Sequence, residues 1–192
     1  MDFNEEKLDL FFNIINRFVG FYSREATQSS GNDPACEYPF VAMDTRQLFG
    51  QIQFAREYLE KTGNFAEGGT TFLDVGCGIG NVLLIAEQFG FDAWGIEKDD
   101  YPYRIASQLI GSGKIEQADI WTYDRYERFE VIYYFRPFCH RPPQLRFEKL
   151  IEDRLKTGGL LIANHKNSTD IDLDQRFRRL HPQLPIWEKK RG

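Results

Sequence analysis

No stretch of this 192-residue sequence is apolar for the roughly 20 residues that a membrane-spanning helix requires. No basic start leads into an apolar run and a small-residue cleavage site, so no secretory leader is expected. Cysteine is scarce. Cys36, Cys77 and Cys139 are odd in number and widely spaced, which gives neither a disulfide framework nor a zinc pattern. These absences point to a reducing, cytoplasmic setting with no membrane partner. Positive charge is also short, at a formal net charge of -5. That argues against a sequence-independent nucleic-acid binder, which relies on a positive field. The basic groups Arg176, Arg178, Arg179 and Lys189-Lys190-Arg191 read as surface charge. Nothing in the sequence indicates an oligomeric state.

What is present fits a globular domain: 42% apolar and 28% charged residues. The 17 Phe and 9 Tyr allow an aromatic-lined pocket, and equally an aromatic core. Leu8, Phe11, Phe12, Ile15 and Val19 recur at helical spacing. A Gly, Ser, Asn and Pro cluster over 29–34 breaks the chain. A second helix is expected from Asp44, in a capping-box arrangement with Gln47, with Leu48, Ile52, Ala55 and Leu59 as its apolar stripe and Gly63 past its end. Residues 1–66 are expected to form a helical extension or lid. Tyr38-Pro39-Phe40 offers aromatic walls for a pocket.

From Thr70 the rhythm becomes strand, turn, helix, repeated. Strands are expected at 70–75, 92–96, 114–118, 129–135 and 160–163, with helices between them, one of them from about Pro102 to Ile110. Strands that alternate with helices imply an α/β, doubly wound, mostly parallel sheet over 67–192. The segments 177–180 and 185–189 are expected as a short antiparallel pair at the sheet edge.

The first strand ends at Asp74-Val75, followed by Gly76-Cys77-Gly78-Ile79-Gly80. In a doubly wound sheet, ligands bind beyond the carboxyl ends of the strands. The dinucleotide fingerprint G-x-G-x-x-G fails here, since its sixth position is Asn81 counted from Gly76 and Leu83 counted from Gly78. The loop is G-x-G-x-G instead, with an acid two residues ahead. The second strand ends in Glu97, 17 residues after Gly80, where a carboxylate can accept from both hydroxyls of a ribose. Ala118-Asp119-Ile120 follows the third strand.

This pattern resembles the class I S-adenosylmethionine-dependent methyltransferases, over about 70–164. The resemblance implies a seven-stranded Rossmann-like fold and S-adenosyl-L-methionine as cofactor, with S-adenosyl-L-homocysteine as product. It implies that the loop of Gly76, Cys77, Gly78 and Gly80 holds the methionine part; Cys77 itself reads as a small residue that fills tight space. Asp74 would position the loop and the ammonium group, and Glu97 the ribose. Lys98 and Asp99 would border the adenine, Asp119 would accept from its amino group, and Ile120 would pack on its ring. The stretch 72–100 is also similar to the non-SET histone lysine methyltransferases, but their Asn-containing fourth-strand motif is missing.

The methyl acceptor is expected beside the tip of the fourth strand, Tyr134-Phe135-Arg136-Pro137-Phe138. Amino-methylating nucleic-acid enzymes of this fold carry Asp/Asn/Ser-Pro-Pro-aromatic there. The polar residue and the double proline are absent, which favours a small molecule or protein acceptor over a DNA base amine. Phe135, Arg136, Pro137 and Phe138 are the candidate acceptor contacts, and Arg136 suits an anionic group or a loop salt bridge. His140 and Tyr134 are the candidate catalytic residues, with His165 a weaker one. Neither a nucleophilic triad nor a metal site is expected. The alternative is a non-catalytic, cofactor-binding scaffold.

Overall fold

The computed structural model describes residues 5–30, 37, 40–139 and 141–191. Cys36, Tyr38, Pro39 and His140 lie outside the described residues, as does most of the expected break at 29–34.

The chain opens with α1 (Glu5–Gln28) and α2 (Thr45–Lys61). The amide of Gln47 donates to Asp44 Oδ1 at 2.8 Å, so α2 begins where the sequence caps it. It ends at Lys61, two residues before Gly63. The alternating part follows: β1 (Thr71–Val75), α3 (Asn81–Gln88), β2 (Asp92–Glu97), α4 (Asp100–Ile110), β3 (Ile115–Gln117), β4 (Val131–Phe135), α5 (Arg141–Arg154) and β5 (Leu160–Asn164). The pair β6 (Phe177–Arg179) and β7 (Ile186–Lys189) closes the sheet. Helix α4 starts two residues earlier than expected. Pro102 is its third residue, where a missing amide proton costs nothing because no intrahelical acceptor precedes it.

The seven strands lie in the order β3-β2-β1-β4-β5-β7-β6. The first five are parallel, and β7 runs antiparallel to both β5 and β6. From β1 the chain winds outward to β3, then returns to lay β4 on the other side of β1. The connections leaving β1 and β4 therefore diverge, and a crevice opens at their carboxyl ends.

Strand periodicity splits the core into two layers. Phe72, Ala93, Val131, Tyr133 and Leu160 face Leu48, Ile52, Val82 and Ile85 of α2 and α3, with Phe12 and Ile15 of α1 behind them. Leu73, Ile132, Tyr134, Leu161 and Trp187 face Phe147 and Ile151 of α5 and Leu155 just past its end. Burial on both faces explains why the central strands read as continuous apolar runs.

Candidate functional site

The glycine loop lies at the switch point. The amides of Gly76 and Cys77 both donate to Ile96 O, at 3.0 and 2.9 Å, which ties the loop to the end of β2. Gly76 and Gly78 have φ of 76° and 53°, a left-handed backbone that suits glycine. A side chain on Gly76 would project into open space, so its backbone is accessible to a ligand. A Cβ on Gly78 would come within 2.3 Å of the Phe40 ring, which lies on the loop. Gly80 serves packing instead. Its α-carbon faces Ala106 of α4, where a Cβ would sit 3.2 Å away. It lets α3 and α4 pack closely and does not line the cavity.

Two carboxylates face each other across this loop. Asp74 is 2% exposed, and its Oδ2 has no hydrogen-bond partner among the described residues. Burial, and then the charge of Glu97, push its carboxyl well above the usual range. Glu97 Oε2 accepts from Gly78 N at 2.9 Å, and Oε1 accepts from Lys98 N and Asp99 N at 2.8 and 2.9 Å. Burial raises Glu97 as well, although these amides favour its charged form. Two buried acids with too little positive charge between them invite a cationic ligand. Cys77 is buried, and its thiol is pushed well up by burial and by both acids. That excludes a reactive thiolate at rest.

These groups line a cavity of about 300 Å³, in the range of small-molecule sites. Asp74, Gly76, Cys77, Gly78, Glu97, Lys98, Asp119 and Ile120 all line it. Lys98 is turned to Glu37, 2.6 Å away, and so joins the end of β2 to the segment that precedes α2. Asp119 Oδ1 accepts from Trp121 N at 2.7 Å, which turns the chain after β3 and sets Ile120 and Trp121 in the wall.

The other half of the cavity is apolar and comes from several segments. Phe135, at the end of β4, and Arg136, Pro137 and Phe138 after it line this half, and Phe40 also takes part. Phe138 stacks on Trp121 with ring centroids 5.2 Å apart, and its amide donates to Gln144 Oε1 at 3.2 Å.

Tyr134 is not in the cavity. It is fully buried on the opposite face of the sheet, 4.9 Å from the Phe147 ring, and its hydroxyl has no partner among the described residues. Burial, with the charges of Glu148 and Glu152, drives its phenol well up. The cause is strand phase: successive side chains alternate faces, so the cavity receives Tyr133 instead. Tyr133 donates to Met43 Sδ at 3.2 Å. Tyr133, Met43 and Asn81 are lining residues that sequence reasoning missed. The period of two within β4 was a usable signal for Tyr133. Met43 had none, because its place depends on how α2 docks.

The family described as "Methyltransferase domain" matches residues 41–188. A 2-methyl-6-phytyl-1,4-hydroquinone methyltransferase from Synechocystis sp. is 31% identical over 126 residues, 63% of this chain and 37% of that protein. An (S)-coclaurine N-methyltransferase from Papaver somniferum is 32% identical over 104 residues, 50% of this chain and 30% of that protein. The chain thus spans about a third of the length of these relatives. An RNA methyltransferase from Salinibacter ruber, solved with S-adenosyl-L-homocysteine, superposes with a TM-score of 0.54 at 13% identity. The match covers 77% of this chain and 91% of that one. At that identity the likeness concerns the fold.

Proposed function

The chain belongs to the methyltransferase-domain family, and on that premise we propose that it transfers the methyl group of S-adenosyl-L-methionine to a small, largely apolar acceptor. The observation that carries this reading is the unpartnered oxygen of Asp74, buried in the cavity beside Glu97 and the open face of Gly76. A ligand with an ammonium group, a ribose and a flat base fits this donor and acceptor set. Asp74 would receive the ammonium. Three of the roughly four acceptor positions of the Glu97 carboxylate hold main-chain amides, so it would clamp the loop and keep one position for a ribose hydroxyl. Ile96, Pro102 and Ile120 supply apolar surface for the base.

When bound, the cofactor supplies a methyl group on a cationic sulfur. The chain's part is to hold the acceptor in line with it and to exclude water. The segment before α2 supports exclusion: the Phe40 ring covers Gly78, and Glu37 pairs with Lys98. Helix α1 reaches the same edge, where Glu25 accepts from the Tyr101 hydroxyl and Ser30 donates to Asp99. The N-terminal helices thereby act as a cover for the cofactor edge. The names of the two curated relatives, a hydroquinone and a coclaurine methyltransferase, support a small-molecule acceptor.

The test has two parts. Calorimetry with S-adenosyl-L-homocysteine should give saturable binding at one site. Incubation with methyl-labelled S-adenosyl-L-methionine and a fractionated extract should label a small molecule. Binding without any transfer would support the scaffold alternative; no binding would remove the reading.

A further inference from the structure

The chain beyond β5 is pinned on both sides of one residue. Before it, Asn164 is 2% exposed and exchanges two amide hydrogen bonds with Gln51 of α2, at 2.8 and 3.0 Å. After it, Lys166 lies between Glu148 and Glu152 of α5, at 3.0 and 2.9 Å. The amides of Asn167 and Ser168 donate to Glu148 at 2.6 and 2.9 Å. His165 sits between these anchors at φ 53°, the one non-glycine residue with positive φ among the described residues. Such a backbone is strained and persists where its surroundings over-determine it. Its result here is direction. The imidazole stands edge-on to Phe135, with ring centroids 5.1 Å apart, in the cavity wall.

The surroundings select an acceptor. Phe40, Met43, Phe135 and Phe138 make this half of the cavity apolar and aromatic, and Arg136 brings a cation to it. The lining carboxylates belong to β1, β2 and the segments beyond them, apart from Glu37, which Lys98 holds. Among the described residues, a protonated amine finds no counter-ion beside β5. A flat ring with a hydroxyl group finds aromatic walls for the ring and an imidazole for the hydroxyl. An imidazole exchanges protons near neutral pH, and a phenol becomes a strong nucleophile only when its proton is removed.

We propose that His165 takes the proton from the phenolic hydroxyl of an aromatic acceptor, which makes the β5 side of the cavity an O-methylation site. The inference rests on the methyl-transfer reading above. The O–H proton passes to the imidazole, and an oxygen lone pair forms the bond to the transferred methyl carbon. The carbon–sulfur pair stays on sulfur and leaves a neutral thioether. The imidazolium then returns its proton to water.

The test uses the full chain saturated with S-adenosyl-L-homocysteine and 4-nitrophenol as the probe, because only its phenolate absorbs in the visible. At a pH where the free probe is half ionised, binding should increase the phenolate band. His165→Asn keeps the left-handed backbone, which asparagine tolerates, but removes the base. It should leave S-adenosyl-L-homocysteine affinity unchanged and lower the bound phenolate-to-phenol ratio about tenfold, the equivalent of one pKa unit. His165→Gly, which adopts positive φ without steric cost, serves as a second variant if the first fails to fold. A band that grows equally in the variants, or a loaded protein that binds no 4-nitrophenol, overturns the proposal while leaving the cofactor reading intact. Failure of S-adenosyl-L-homocysteine itself to bind overturns both.

Discussion

The two halves of the crevice are built by different means. The β1–β2 half is made of main chain and carboxylates within one strand–helix–strand unit: the amides of Gly76, Cys77 and Gly78, with Asp74 and Glu97. The β4–β5 half is made of side chains brought from separate segments: Phe40 and Met43, Trp121, Phe135 and Phe138, and His165. A main-chain site holds one ligand with little freedom to change, because glycine conformation and strand register fix it. A side-chain site changes with each substitution. The first half therefore suits a constant cofactor, and the second a particular acceptor.

Glu97→Ala is the strongest way to break this comparison. It removes a buried acceptor from three amides as well as the contact offered to the ribose. Stability should fall by about 2–3 kcal/mol, since each orphaned amide is costly. S-adenosyl-L-homocysteine affinity should fall more than about 100-fold by calorimetry. A variant that loses stability but keeps its affinity would make Glu97 a loop clamp alone.

A smaller and more specific effect is expected at Asp74. Burial and Glu97 raise its pKa in the folded state. The folded protein thus holds a proton that the unfolded chain releases near pH 4. Stability from this group is present below that pH and is lost as pH rises through the folded pKa. An ammonium ligand favours the ionised carboxylate, so affinity should rise over the same window and binding should release a proton. Asp74→Asn should flatten both profiles in thermal melts and calorimetry. It should weaken binding about 10- to 100-fold, the loss of one hydrogen bond to a charged group.

The smallest effects sharpen the assignment of the two neighbouring tyrosines. Tyr134→Phe removes a hydroxyl that has no partner among the described residues, and it should leave transfer unchanged and stability equal or up to about 1 kcal/mol higher. Tyr133→Phe breaks the contact with Met43 in the cavity wall, and it should alter acceptor turnover more than cofactor affinity. The opposite pattern would return the catalytic role to Tyr134.

The same division explains what the sequence made legible. The mostly parallel sheet, the edge pair of β6 and β7, and the loop from Asp74 to Gly80 follow from local rules: alternation of strands and helices, glycine spacing, and an acid at or just past the ends of β1, β2 and β3. The different roles of Gly76, open to the cavity, and Gly80, packed on Ala106, needed coordinates because they depend on where α4 lies. The acceptor half was only partly legible. Residues 135–138 could be placed beside the crevice because they form and follow the carboxyl end of a central parallel strand. The expectation for Tyr134 fails on strand phase: Tyr133 and Phe135, two residues apart, share the cavity face, and Tyr134 takes the other. Met43 reaches the cavity only because α2 packs on the sheet, and His165 is aimed there by the anchoring of Asn164 and Lys166.

The central proposal is that the crevice binds a cationic, ribose-bearing methyl donor through Asp74 and Glu97. The most direct test is calorimetry of S-adenosyl-L-homocysteine in two buffers of different ionisation enthalpy, with the wild-type chain and Asp74→Asn. At a pH where the free wild type still holds the Asp74 proton, one-site binding with proton release is predicted, and weaker binding with less proton release in the variant. Equal affinity and equal heats in the two proteins would contradict it.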